Sequence, residues 1–160
     1  MLKDKIGYRF QNPVLFRKAL THSSYANEQR ARHLQHNERL EFLGDSVLGF
    51  VTADYLYNHF PELPEGELTK LRAAVVCEQA LYEVAKELGI DKEICLGHGE
   101  ETSGGRRRPS ILADAVEALL GAIYLDGGIE PARAFVLSFI PQAAERARQG
   151  RMFKDYKTAL

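Results

Sequence analysis

In residues 37–48, NERLEFLGDSVL, the carboxylates Glu38, Glu41 and Asp45 recur at spacings of three and four inside an apolar-periodic run. A helix turns about 100° per residue, so Glu38 and Asp45 fall within about 20° of one another and Glu41 about 60° away. Leu40, Leu43, Val47, Phe50 and Val51 gather on the opposite side, the pattern of a helix buried along one face. Acids sharing the other face repel one another. Solvent tolerates that arrangement; a cation would make use of it. The periodicity predicts a long helix over about 34–60, stopped by Pro61.

A second segment answers the first. Residues 110–128, SILADAVEALLGAIYLDGG, put Asp114 and Glu117 on one helical face, with Leu112, Val116, Leu119, Leu120 and Ile123 on the other. In both segments a glycine follows a carboxylate four residues on: Gly49 after Asp45, and Gly121 after Glu117. Glycine costs about 1 kcal/mol inside a helix, so the pair predicts close approach of the two helices beside their acids. That packing would gather Glu41, Asp45, Asp114 and Glu117 into one pocket. Oxygen-only clusters suit hard cations, Mg²⁺ or Mn²⁺. No Cys or His stands three or four residues from these acids, which argues against zinc and against a Glu-x-x-His di-iron bundle. The plainer reading of acids at i, i+3 is a solvated helix face.

The two motifs together resemble the ribonuclease III family of double-stranded RNA endonucleases. The resemblance extends to LTHSSYANE (20–28), PEGELTKLRAAVV (64–76) and GHGEETSGGRRRPS (97–110), and so to nearly the whole chain. It implies Glu41, Asp45, Asp114 and Glu117 as ligands of Mg²⁺, with Mn²⁺ as a substitute, and Asp45 and Glu117 as the catalytic centre. It gives Glu38 a supporting role towards the RNA backbone and places Glu65 near the cleft, although Glu65 reads equally well as a helix-start acid. It also implies a symmetric homodimer in which Phe42 enters the partner. Phe42 projects away from Leu40, and without the resemblance it could equally pack under a neighbouring helix. The implied activity is hydrolysis of double-stranded RNA to 5′-phosphate and 3′-hydroxyl ends in rRNA and mRNA processing, with weak sequence preference.

The chain of 160 residues is long enough for one domain with a proper core, and its 45% hydrophobic content agrees. A net charge of −1 gives no support to RNA binding, so any support has to come from local charge. Arg106, Arg107 and Arg108 form one such run, readable as a solvated loop or as phosphate contacts. Arg146, Arg148, Arg151, Lys154 and Lys157 form another. Cys77 and Cys95 make no C-x-x-C pair and fit a reducing, cytoplasmic setting. Charges within 1–10 argue against a signal peptide, and 134–144 is too short to span a bilayer.

The remaining segments read as helices with Asn12–Pro13 as a start, 67–76, 78–88 ending at Gly89, and 131–148. Residues 27–36 and 97–109 read as loops, and no strand pattern is present, so the fold is expected to be all-α. His22 with Ser23 or Ser24 could suggest a nucleophile and base, but no acid orients them and no strand–turn–helix elbow surrounds them. Asp54 falls on the apolar side of its helix and requires a hydrogen-bonding partner. Gly150 marks a boundary: 1–148 is expected to be the nuclease domain. Residues 149–160, with KDYKTAL (154–160), resemble a linker and the opening of a double-stranded RNA-binding domain cut short. Two other readings remain. One is an all-α Mg²⁺-dependent nucleoside-triphosphate pyrophosphohydrolase, whose acid pairs differ from Asp-x-x-Glu. The other is an inactive nuclease fold serving as an RNA-binding scaffold, which the intact acids oppose.

Overall fold

The computed structural model describes the backbone of residues 1–159 and the side chains of residues 1–151. In chain order its helices are α1 (Leu2–Lys5), α2 (Pro13–Ala19), α3 (Ser23–Glu28), α4 (Glu38–His59), α5 (Glu65–Val76), α6 (Glu78–Leu88), α7 (Ile90–Glu93), α8 (His98–Thr102), α9 (Pro109–Gly127), α10 (Ile129–Leu137) and α11 (Ile140–Ala159). Short 3₁₀ turns lie at Arg30–Arg32 and Gly105–Arg107. Among the described residues there is no strand, only one isolated parallel bridge between Thr21 and Cys95. The all-α expectation holds. No helix among the described residues is long and apolar enough to cross a membrane.

The core is built around α9. Pro109 starts it at a first-turn position, where a missing N–H costs nothing. Ile111, Leu112, Ala115, Val116, Leu119, Leu120 and Ile123 are all buried and point several ways round the helix. A helix apolar on most sides must be surrounded. Its most extensive packing is against α4, with α6, α10 and α2 closing the other sides. Each buried leucine or isoleucine contributes about 1.5–3 kcal/mol, so Leu119→Ala would cost about 2–5 kcal/mol.

The amino-terminal segment is tied to the far end of α9. Asn12 caps α2, its Oδ1 accepting from Val14 N–H at 3.0 Å. Asp126 accepts from Tyr8 Oη at 2.6 Å and from the backbone N–H groups of Gln11 at 2.7 Å and Asn12 at 2.9 Å. Those bonds hold the Asp126 carboxyl below its ordinary range, the Tyr8 bond most of all. At the other terminus, Arg151 pairs with Glu67 of α5 at 3.1 Å and Arg148 stacks over Phe60.

Several expectations are corrected. The long helix begins at Glu38, not near residue 34, because His33 adopts a left-handed backbone (φ 51°) after the Arg30–Arg32 turn. Residues 23–28, the last two of which were expected in the 27–36 loop, form α3, with His22 as its N-cap. The loop at 97–109 holds α8 and a 3₁₀ turn. One final helix becomes two, α10 and α11: Pro141 has no N–H to donate, so the helix restarts around it. Phe50 is 60% exposed and not part of the core face; Gly44 and Leu48 are buried there with Leu40, Val47 and Val51. Asp54 is exposed and paired with Arg133 at 3.1 Å, so its partner exists but its burial does not. α11 continues through Gly150, while the side chains of KDYKTAL lie outside the described residues.

Candidate active site

Both acid-bearing helices place their carboxylates through backbone contacts close by. Asn37, 4% exposed, anchors the start of α4: its N–H donates to Thr21 O at 2.9 Å and its Nδ2 to Ala19 O at 3.0 Å. Its own carbonyl accepts from Glu41 N–H at 2.9 Å, so Glu38 and Glu41 occupy the first turn. Carboxylates there face the positive end of the helix dipole.

Two glycines then decide how near α9 can come. A Cβ added at Gly44 would lie 2.6 Å from the carbonyl carbon of Glu117 and nearer still to its oxygen. One added at Gly121 would lie 3.2 Å from the carbonyl carbon of Leu40. Leu40 sits beside Gly121 and Gly44 beside Glu117, so the two helices run in opposite directions with backbone nearly touching backbone. The expected close approach is therefore present, with Gly121 in it as foreseen. Its partner is Gly44 and not Gly49, around which a Cβ would meet nothing within 4 Å.

This approach brings together Glu41, Asp114 and Glu117, each half-buried, with one carboxylate oxygen from each within 4.8 Å of the others. Asp45 is exposed at the rim, outside that group of three, and its carboxylate acts on Glu117. Charge gathered in this way is costly. Burial first, then Asp45, Glu41 and Asp114, push Glu117 up to about 9. Burial first, then Asp114, Glu38 and Asp45, push Glu41 up to about 7. Asp114 is raised by burial and by Glu78, while Glu41 and His22 draw it down. Carboxyl groups in this state either hold protons or await a cation.

The other candidates sit elsewhere. Glu38 is exposed and is one of the lesser charges acting on Glu41. Glu65 is the exposed first residue of α5 and is not among the charges that shift Glu41, Asp114 or Glu117. Arg106 is held inside the fold: Nε and Nη2 reach Glu101 at 2.9 and 2.7 Å, and Nη1 donates to the carbonyls of Asp91 and Ile94, both at 2.9 Å. Arg108 is paired with Glu100. Arg107 makes no side-chain hydrogen bond or ion pair among the described residues. Phe42 is 68% exposed beside a groove lined by Lys18, Arg39, Leu43, Ser46 and Leu125, so it does not pack under a neighbouring helix.

Two residues at the site carried no sequence signal as site residues. Glu78, at the start of α6, reaches Asp114 only because α6 packs on α9. His22, weighed from the sequence only as a base beside Ser23 or Ser24, also acts on Asp114 and caps α3.

A family model described as Ribonuclease-III-like matches residues 12–143. The chain is 53% identical over 159 residues to Ribonuclease 3 of Desulforamulus reducens and 57% identical over 158 residues to that of Symbiobacterium thermophilum. These alignments cover 99% and 98% of this chain but 65% and 66% of the relatives, so the chain spans somewhat less than two thirds of their length. Among solved structures, the nuclease domain of ribonuclease III from Campylobacter jejuni, described for structural flexibility in a region involved in dimer formation, superposes with a TM-score of 0.82 at 41% identity. That match covers 89% of this chain and 95% of the other. The matched span contains α4, α9 and all four clustered acids, and the chain belongs to the ribonuclease-III-like family.

Proposed function

We propose that this chain is an endoribonuclease domain that hydrolyses the phosphodiesters of double-stranded RNA with a divalent cation, Mg²⁺ or in its place Mn²⁺. The products would be 5′-phosphate and 3′-hydroxyl ends, and the setting cytoplasmic processing of rRNA and mRNA precursors. The observation that carries this reading is the meeting of Glu41 and Asp45 with Asp114 and Glu117 where α4 crosses α9. The donor set fits a hard cation: it is all oxygen, and the upward push on Glu41 and Glu117 marks negative charge gathered without compensation. The names of the relatives, Ribonuclease 3, support the substrate class.

A divalent ion bound here would neutralise the scissile phosphate and supply ionised water near pH 7. The residues divide the remaining work. Glu41, Asp45, Asp114 and Glu117 would hold the ion, with Asp45 and Glu117 at the catalytic centre. Asp45, at the rim and against Glu117, is the acid most open to incoming substrate. Glu38 and Glu65 border the approach of the RNA backbone. Of the three arginines, Arg107 is the one best available for a phosphate. Phe42 is proposed to enter a second copy of the chain, so that a homodimer presents two sites, one to each strand. Residues 1–148 are proposed as the nuclease domain, and 149–160 as a linker resembling the opening of a double-stranded RNA-binding domain.

Incubation of the chain with Mg²⁺ and either duplex RNA or a nucleoside triphosphate tests the reading. Duplex cleavage abolished by EDTA is expected. Pyrophosphate release from the nucleotide, or duplex binding without cleavage, would overturn it.

A further inference from the structure

Between α3 and α4 the chain makes an excursion, QRARHLQH (29–36), that carries two arginines, two histidines and no acid. Both of its ends are fixed. Before it, the two carboxylate oxygens of Glu28 accept from His98 N–H at 2.7 and 2.8 Å, which holds α3 to the start of α8. After it, Asn37 is tied to Thr21 and Ala19, and Glu38 N–H donates to His36 Nδ1 at 3.4 Å. The excursion itself is the 3₁₀ turn over Arg30–Arg32. Arg32 N–H donates to Gln29 O at 2.9 Å and His33 N–H to Arg30 O at 3.1 Å, and the left-handed His33 then redirects the chain towards α4. Arg30, Arg32 and His33 are exposed, and their side chains make no hydrogen bond or ion pair among the described residues. The acid just before them, Glu28, is already engaged with the α8 backbone. Arg106, Arg108, Arg133 and Arg151 differ in this respect, since a carboxylate holds each of them.

We propose that the 29–36 turn is a phosphate-binding edge of the acid site, with Arg30 and Arg32 contacting successive phosphates of a duplex RNA strand that continues past Glu38. The inference rests on the ribonuclease reading above and names where the phosphates flanking the scissile one are held. A divalent ion in the cluster is matched by the acids around it, so flanking phosphates need cations from outside. The turn supplies them next door: Arg32 stands six residues before Glu38, which limits their separation to about 20 Å. A 3₁₀ turn rotates about 120° per residue, so Arg30 and Arg32 diverge instead of converging on one point. Diverging guanidinium groups suit a string of phosphates better than a single small anion, and each fork matches the oxygens of one phosphate. Contacts of this kind position the backbone and read no sequence.

Salt dependence tests the edge directly, because each phosphate neutralised adds about 0.9 to the slope of log K against log salt. The full chain is titrated with duplex RNA in Ca²⁺, to suppress cleavage, at several salt concentrations. Arg30→Gln combined with Arg32→Gln should flatten the slope by about 1.8. Between about 50 and 200 mM salt, the wild type should then lose about tenfold more affinity than the variant. Arg30→Lys combined with Arg32→Lys keeps both charges and should keep the wild-type slope. Arg9→Gln removes an exposed charge in the segment tied to the far end of α9, and should leave the slope unchanged. All these variants should melt like the wild type, since neither turn arginine holds a neighbour. A wild-type slope in the double Gln variant overturns the proposal. So does the same flattening per charge in Arg9→Gln, which would reduce the effect to net charge, and so does a lysine pair that fails to restore the slope. A wild-type chain that neither binds nor cleaves duplex RNA overturns the ribonuclease reading and this inference with it. If the wild type cleaves and the double Gln variant keeps its slope, only the role of the turn fails.

Discussion

Alanine at Gly44 and alanine at Gly49 should act in opposite directions, although the two glycines share α4 and stand five residues apart. At Gly44 the new Cβ would come 2.6 Å from the Glu117 carbonyl carbon, and carbon–carbon contacts settle near 3.5–4.0 Å, so the helices must part by about 1 Å. The obstacle is backbone, and no side-chain rotation relieves it. Overpacking of this kind costs about 1–3 kcal/mol or more, against about 1 kcal/mol regained from helix propensity. At Gly49 nothing lies within 4 Å of the added Cβ, so the propensity gain stands alone. For a domain of this length, the melting temperature should fall by several degrees in Gly44→Ala and rise by about 2–4 °C in Gly49→Ala. Function should respond more sharply than stability. Metal-site geometry tolerates about 0.2 Å, and a 1 Å parting separates Glu41 and Asp45 from Asp114 and Glu117. Mn²⁺ affinity in Gly44→Ala should therefore drop by more than tenfold, and duplex cleavage by about a hundredfold. Differential scanning calorimetry and Mn²⁺ titration of both variants provide the test. A Gly44→Ala protein that melts and binds Mn²⁺ like Gly49→Ala would refute the backbone contact as the origin of the site.

Glu117→Gln should abolish Mg²⁺-dependent cleavage while leaving the fold intact; near-wild-type turnover by the pure variant would remove Glu117 from the site. The metal-free wild type should lose stability as pH rises. Glu117 titrates near 9 and Glu41 near 7 when folded, against 4.5 when unfolded, so the native state holds protons that the unfolded chain releases, and stability falls from about pH 4.5 up to 7 and then 9. Chelated samples melted across that range should show the decline, Glu117→Gln should show less of it, and saturating Mn²⁺ should flatten it; a pH-independent apo protein contradicts the assignment. Phe42→Ala should shift sedimentation towards monomer with little change in monomer melting, and an unchanged dimer would refute its interface role. Arg106→Ala should lower the melting temperature, because Arg106 ties Glu101 to the carbonyls of Asp91 and Ile94, whereas Arg107→Ala should leave melting unchanged and flatten the salt dependence of duplex binding.

What the sequence made legible was the part of the site written in local periodicity. Acids at i, i+3 on a helix with an apolar back place Glu38, Glu41 and Asp45 on one helix and Asp114 and Glu117 on another, and glycine inside each predicts contact between them. Which glycine makes that contact was not legible, because the crossing point depends on how all the helices around α9 pack. Gly49 follows the same i+4 rule as Gly121 and lies in open space, while Gly44 sits at the crossing. Phe50 misled for a related reason: apolarity does not distinguish a core face from a surface left exposed, and Phe42, Phe50 and Tyr57 are all exposed along α4. The arginine run looked uniform, yet Arg106 and Arg108 are taken up by acids five and eight residues earlier in the chain. His22 and Glu78 act on the charge of Asp114 only because tertiary packing brings their elements to it. These cases share one cause. Local pattern says which residues a helix offers to a face, but the charge environment is set by what the neighbouring helices bring to that face. Here they bring more acids, which a structure evolved for stability alone would avoid. A pair of glycines that draws α4 and α9 together and drives Glu117 up to about 9 weakens the metal-free fold, and that cost has a physical rationale in the cation proposed to bind there.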